Sequence, residues 1–299
     1  MVEFDGPMGV KLTKKQLIER WTPEMKDALV QRWRTGVIGE SPFGLTEEGR
    51  HDFRGCPAHT SIEFCNLELC NFDFSYFEFQ RLTFRNCKLV NWYCDKLKCA
   101  LTLWDTTVTD CNFINADLTS SSFGPSVIRC NFIKCRLYDM YCDKSGSVFE
   151  DCLIANCKVQ HMPARIAYIR TKFVGPLHRF YFSRKIEYCD FTEAHFYDCG
   201  FQDCTDIGSV FSNSHHAIRE PSSKAAFFNE ELQKSKDIMT YDQYSMAEII
   251  ISNWLSRPYY VYVLDESGYD FFKTDEELFG FVNFIVDTDK KYQALHGNV

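Results

Sequence analysis

The stretch Cys111-Asn112-Phe113-Ile114-Asn115-Ala116-Asp117-Leu118-Thr119-Ser120-Ser121-Ser122-Phe123 puts a small residue at 111, 116 and 121 and a large apolar one at 113, 118 and 123. The same spacing returns in Cys65-Asn66-Leu67, Cys70-Asn71-Phe72 and Ser75-Tyr76-Phe77, and again in Cys152-Leu153-Ile154 and Cys157-Lys158-Val159. A last run is Cys189-Asp190-Phe191, Ala194-His195-Phe196 and Cys199-Gly200-Phe201. Neither a helix, with its period of about 3.6, nor a flat strand, with its period of about 2, repeats every five residues.

One five-residue unit per side gives a coil of square cross-section, with about twenty residues per turn and turns stacked about 4.8 Å apart. The central Leu, Phe or Ile points inward with the small residue two positions before it. The other three positions face solvent or form the corner. Some 150 residues would make about seven or eight turns, a rod about 35 Å long. Both open ends of such a stack need covers.

On these triplets the chain resembles the pentapeptide-repeat family, whose consensus is a small residue, Asp or Asn, Leu or Phe, and two variable positions. Ala116-Asp117-Leu118, Cys65-Asn66-Leu67 and Cys189-Asp190-Phe191 fit it closely, and the likeness covers about half of the chain. The resemblance implies an all-β solenoid, a right-handed quadrilateral β-helix. Residues 83–110 and 162–187 fit poorly, and Gly124-Pro125 and Gly175-Pro176 read as loops thrown out from a corner.

Acidic members of that family act as DNA mimics, and characterised relatives protect type II topoisomerases by occupying the DNA-binding saddle. The position of the charge therefore matters. Residues 1–58 carry nine basic and nine acidic side chains, residues 59–211 sixteen and eighteen, and residues 212–299 eight and fourteen. Most of the net −8 lies after the coil. Duplex DNA carries one charge per ~1.7 Å of axis, so a nearly neutral rod is a poor copy of it.

Fifteen Cys raise the question of zinc or disulfides. The spacing Cys-x4-Cys occurs at 65/70, 94/99, 130/135, 152/157 and 199/204. In at least four of these pairs the five-residue phase puts both thiols in the small inward slot, where Cys packs as a slightly large Ala. The thiols read as core filler, with no metal and no cofactor expected. The start, Met1-Val2-Glu3-Phe4-Asp5, carries acid where a signal peptide has base, and no window suits a membrane span. The expectation is a cytoplasmic, bacterial protein.

Residues 1–58 read as an N-terminal helical cap. Thr13 and Gln16 form a capping box before Leu17, Ile18 and Trp21; Thr22-Pro23-Glu24 restarts a helix with Met25, Leu29, Val30 and Trp33 on one face, and Gly36 stops it. Residues 59–211 are the coil, and 212–299 a small C-terminal α+β module that caps, dimerises or docks. In that module, 212–217 and 220–223 read as linker or turn and 241–256 as a helix. A strand over 259–264 turns at 266–268 into a returning strand over 269–272, and Thr274 and Glu277 cap a last helix.

No phosphate loop, His-Glu-x-x-His or Gly-x-Ser-x-Gly signature occurs, and His161, His178, His195 and the His215-His216 pair fall at outward, loop or linker positions. One stretch stands out. Between Asp151 and Glu187 there is no acid, while Lys158, Arg165, Arg170, Lys172, Arg179, Arg184 and Lys185 are interleaved with Tyr168, Phe173, Phe180, Tyr181 and Phe182. Such a basic aromatic loop suits an acidic protein surface or, as a lesser expectation, nucleic acid. The reading is a non-enzymatic macromolecule-binding scaffold with a protein partner. The resemblance makes DNA gyrase the specific candidate. A translocated effector and a Cys-based enzyme are alternatives, and a homodimer is compatible.

Overall fold

A computed structural model describes residues 4–5, 11–142, 146–160, 165–178, 180–197, 199–202, 206–212, 215–256, 259–265 and 272–296. Among these, the chain from His51 to Phe211 winds as a four-sided stack of short parallel strands. Three sides carry sheets of nine, eight and five strands; on the fourth, Arg136–Tyr138 pairs with Lys158–Gln160 and is bridged through Asp117 to Lys98. The coil is a β-solenoid of about eight turns.

Register turns the sequence period into stacked columns. Leu69, Leu89, Val108, Val127, Phe149, Tyr168 and Ile186 lie one above another, all buried. Another column stacks Phe113 on Phe132 with ring centroids 5.1 Å apart, Phe173 on Phe191 at 4.8 Å, and Phe191 on Phe211 at 5.0 Å. These distances match the spacing of the turns, so each added coil buries one more ring face, and the high Phe content follows.

At most corners the backbone enters the left-handed region, although the strands Glu78–Arg85 and Lys98–Trp104 run on without such a residue. Asn66, Asn71, Asn86, Asn91, Asp105, Asp110, Asn115, Asp151 and Asn156 all have positive φ. Asn and Asp tolerate that conformation best among residues with a Cβ. They also bond from turn to turn: Asn86 Nδ2 donates to Asn66 Oδ1 at 2.8 Å and Asn91 Nδ2 to Asn71 Oδ1 at 2.7 Å.

This geometry corrects the phase read in the first coils. Asn66 and Asn71 are corner residues, not the polar second position of a repeat. Cys65 is consequently exposed and Cys70 half-exposed, while Phe64 and Leu69 are buried. A corner Asn mimics the consensus Asn two positions away. Residues 83–110 fit the consensus poorly because sizes are exchanged there: Trp92 precedes Cys94 and Leu97 precedes Cys99, all four buried. The pair keeps its volume with the large residue first, and the strands Lys88–Val90, Tyr93–Asp95 and Lys98–Trp104 continue the coil.

The expected loops are also corners. Gly175 lies within the strand Lys172–His178 at φ +79, where an added Cβ would stand 2.3 Å from Asn156 Oδ1. At Gly124 a Cβ would stand 2.2 Å from the Thr106 carbonyl. Glycine here serves close approach within a tight turn.

The small inward slot is more than filler. Thr106 Oγ1 sits within hydrogen-bond distance of the carbonyls of Phe84 (3.1 Å) and Trp104 (2.9 Å) and accepts the Cys87 amide (3.2 Å). Cys111 Sγ reaches the Thr109 carbonyl at 3.3 Å and accepts the Trp92 amide at 3.4 Å; Cys130 makes the same pair of contacts one turn on. A thiol or hydroxyl in this slot therefore satisfies buried backbone groups that the corner takes out of the ladder.

Helices α1 (Lys14–Glu19) and α2 (Pro23–Arg34) cover the first coil, with the capping box of Thr13 and Gln16 and Pro23 at the first position of α2. Trp21 and Trp33 are buried, and the Trp33 ring lies against Phe53, Phe64, Phe74, Phe77 and Phe79. Asp52 anchors this end with two Arg forks: Arg20 at 2.6 and 2.9 Å and buried Arg54 at 2.7 and 2.9 Å. Burial opposes its charge, but the bonds and charges of Arg54 and Arg20 leave its pKa below the ordinary value. Asp73 lies beside it in register and has no such fork; burial pushes it up to about 6 despite the hydrogen bond from the Ser75 amide (2.9 Å).

At the other end the strand Tyr259–Asp265 pairs antiparallel with the coil strand Cys199–Gln202 and with His215–Arg219. Behind it pack α3 (Pro221–Lys234), α4 (Tyr241–Ser256) and α5 (Asp275–His296) around Phe228, Trp254, Phe281 and Ile285. Two linker readings are corrected here. His215–Arg219 is a strand, and 220–223 opens a helix in which Pro221 supplies a fixed φ at the first position. The turn at 266–268 and most of the returning strand lie outside the described residues, but both edges of Tyr259–Asp265 are already occupied.

Thr106→Val keeps the slot's volume but removes its hydrogen bonds; a loss of about 1–3 kcal/mol in urea unfolding is expected, and an unchanged midpoint would dismiss the slot's polar role. Asp73 is expected to take up a proton on folding, because its value of about 6 lies above the ordinary 3.8. Its charge therefore costs stability as pH rises through that window. Asp73→Asn should melt like the parent below pH ~4 and higher above pH ~7, by on the order of 2 kcal/mol; a pH-independent difference contradicts this.

Candidate interaction surface

The basic segment does not leave the coil where it is described. Ile166–Ile169, Lys172–His178, Tyr181–Phe182 and Ile186–Glu187 are coil strands. The acids that answer Arg170 and Lys172 come from adjacent turns, about twenty residues away. Arg170 sits at a corner with φ +47 and holds Asp151 with a fork of 2.7 and 3.0 Å, together with Glu150. Lys172 pairs with Glu193 at 2.6 Å and Asp190 at 3.5 Å, and Lys185 with Glu187 at 2.8 Å.

Arg165 and Arg184 are exposed, and the Arg184 guanidinium lies over Gly146, closer than a Cβ would permit. Arg179 lies outside the described residues. Of the interleaved aromatics, Tyr168, Phe173, Phe180 and Phe182 are buried in the coil. The five candidate residues that are described, Arg165, Arg170, Lys172, Arg184 and Lys185, thus form no single exposed basic aromatic loop.

The same alternation runs along the corner. Arg129 holds Asp110 with a fork of 2.7 and 2.8 Å one step before Asp151 and Arg170. These forks hold the Asp110 and Asp151 carboxyls below the usual range. An edge of alternating carboxylate and guanidinium presents no continuous field of one sign.

Two histidines assigned to outward or linker positions have structural partners. The His215 side chain is buried; its Nδ1 accepts the Ser212 amide at 3.1 Å, which puts the ring proton on Nε2, 3.0 Å from the Ala194 carbonyl and 3.3 Å from Asp265 Oδ2. Fully buried Asp265 also accepts the Phe196 amide at 2.9 Å, and half-exposed His195 lies 3.7 Å away. This cluster fastens the C-terminal strand to the last turn. Two His separated by twenty residues and an Asp seventy away carry no sequence spacing that would reveal it. His178 is exposed and stacks on Tyr197, and His161 lies outside the described residues.

Among the described residues, no group of three or more His, Cys, Asp or Glu is arranged to hold a metal, and no helix is long and apolar enough to cross a membrane. Burial pushes the thiols of Cys56, Cys99 and Cys152 up to about 12. Cys65 and Cys70 point outward, contrary to the inward slot assigned to that pair, while Cys204 lies outside the described residues.

The C-terminal module carries a groove of about 800 Å³, which runs between α5 and the segment joining α3 to α4. Glu276, Gly280, Phe284 and Asp287 line it from α5, and Ile238, Met239 and Glu231 from the opposite side. Ile238 is 85% exposed and the adjacent Tyr241 83%. The floor is fixed: Gln243 passes over Gly280 to donate to the Glu277 carbonyl at 2.8 Å and accepts the Thr240 amide at 2.8 Å. The sequence pointed to the module but not to the groove, since 220–223, where α3 begins, read as linker or turn and the rest of α3 was not assigned.

No protein-family model and no curated protein matches the sequence. Among solved structures the chain is similar to HetL, a pentapeptide repeat protein involved in heterocyst differentiation regulation from the cyanobacterium Nostoc sp. strain PCC 7120. Identity is 12%, the TM-score is 0.26, and the match covers 56% of this chain and 91% of that one. Register, corners and five-residue columns decide the architecture. The fold is a four-sided parallel β-solenoid. The chain is accordingly a repeat protein, each turn of the coil stacking on the one before it.

Native labelling with a thiol reagent is expected to modify Cys65 first, then Cys70 and Cys142, with buried thiols such as Cys111 and Cys130 reacting only on unfolding. Rapid native modification of Cys111 or Cys130, located by peptide mass mapping, would contradict their structural role.

Proposed function

We propose that the protein is a non-enzymatic scaffold that binds a protein partner through its C-terminal module. The observation that carries this is the groove with Ile238 and Tyr241 exposed beside it, whereas Arg129, Arg170 and Lys172 of the coil are paired with coil carboxylates. Large apolar side chains left in water next to a preformed groove are typical of interaction sites. Buried thiols held far from the thiolate form suit packing, not nucleophilic attack, which weighs against a Cys-based enzyme.

Modulation of DNA gyrase, the specific reading taken from the family resemblance, has less support from the surfaces. Standing in for duplex DNA needs a dense negative row, whereas the corner ladder alternates Asp and Arg. The module's excess acid faces a groove and does not run along the rod.

Capture from host extract separates the surfaces. Full-length protein carrying Ile238→Glu with Tyr241→Glu is expected to lose its partner, identified by mass spectrometry. Charge reversal at Arg165, Arg170, Arg179 and Arg184 is expected to keep it. The opposite pattern returns recognition to the coil.

A further inference from the structure

The groove's chemistry selects its occupant. Four carboxylates line it, from Glu231, Glu276, Glu277 and Asp287, against one cation, Lys291. Glu231 is engaged by Lys234 and Lys291, and Asp287 by Lys290 at 3.1 Å between two exposed side chains; Glu276 is exposed. Exposed pairs of this kind exchange easily with an incoming cation. Between these acids lie Ile238, Met239 and Phe284.

The shape points the same way. From Thr274 to Lys291 the α5 wall runs about 25 Å at 1.5 Å per residue, room for about four helical turns. Residues 276, 280, 284, 287 and 291 recur at helical spacing, so one stripe of α5 faces the groove. The lining residues belong to helices and the turn between two of them, so no strand edge is offered to an extended peptide.

We infer that the groove takes a basic amphipathic helix of a protein partner, with its apolar stripe on Ile238, Met239 and Phe284 and its Lys or Arg against Glu276, Glu277 and Asp287. The inference rests on the docking reading above and adds the chemistry of the partner. Helix burial supplies affinity through the apolar floor, and the acids set sign and orientation.

The test is fluorescence anisotropy of the full-length protein with a labelled 18-residue Leu/Lys amphipathic helix, of about that groove length. A Leu/Glu peptide of identical pattern and a Leu/Lys peptide of scrambled order serve as comparisons. The Leu/Lys helix should bind roughly tenfold or more tightly than either, and binding should weaken with salt. Ile238→Glu, and separately Glu276→Lys with Asp287→Lys, should weaken it by roughly tenfold while the melting temperature stays unchanged.

Equal binding of the scrambled peptide, or full binding to both variants, overturns the inference. So does a concentration-dependent dimer that excludes the peptide and is broken by Ile238→Glu, since a second copy would then be the occupant. If the peptide fails but host capture still depends on Ile238 and Tyr241, the basic helix is wrong and the docking surface stands. If both fail, the docking reading falls with it.

Discussion

The structure depends on the corner. A chain that turns through a right angle about every five residues places a residue in the left-handed region at most of its corners and takes some backbone groups out of the ladder. Asn and Asp meet the first demand, as at Asn66, Asn91 and Asp110. A small residue bearing a hydroxyl or thiol meets the second, as Thr106, Cys111 and Cys130 show. The inward Leu or Phe then stacks on its counterpart a turn away, and the core grows as columns.

This arrangement also governs electrostatics. In a coil, side chains about twenty residues apart are neighbours, so charge in the linear sequence says little about local field. Within the acid-free stretch before Glu187, Arg170 and Lys172 are answered from the turns before and after it, by Asp151, Asp190 and Glu193. What remains for recognition is concentrated where the coil stops. There the open edge of Cys199–Gln202 is covered by Tyr259–Asp265, and buried Asp265 ties that strand to Phe196.

Each cover uses a buried carboxylate differently. Asp52 is held by two guanidinium forks and keeps its charge; Asp73 lies alongside with its charge disfavoured by burial. The N-terminal cap is thus stabilised by one acid and made pH-dependent by the other. At the far end, Lys224 and Asp289 pair at 2.6 Å between α3 and α5, and this fixes the helices whose outer faces form the groove.

The sequence by itself determined the five-residue period, the coil, both N-terminal helix starts at Thr13 and Thr22, and the helices at 241–256 and after Thr274. Each is a local pattern: a period, a cap, an apolar stripe. It misplaced the phase at Cys65 and Cys70, because a corner Asn and a consensus Asn look alike in one dimension. It read 220–223, the start of α3, as linker or turn, because Pro and Ser mark turns and helix starts equally well. Tertiary structure alone decided which acids answer Arg170 and Lys172, that His215 is buried against Asp265, and that α3, α4 and α5 enclose a groove. Those relations join residues twenty to seventy positions apart, and only the stacking of turns and the packing of helices brings them together.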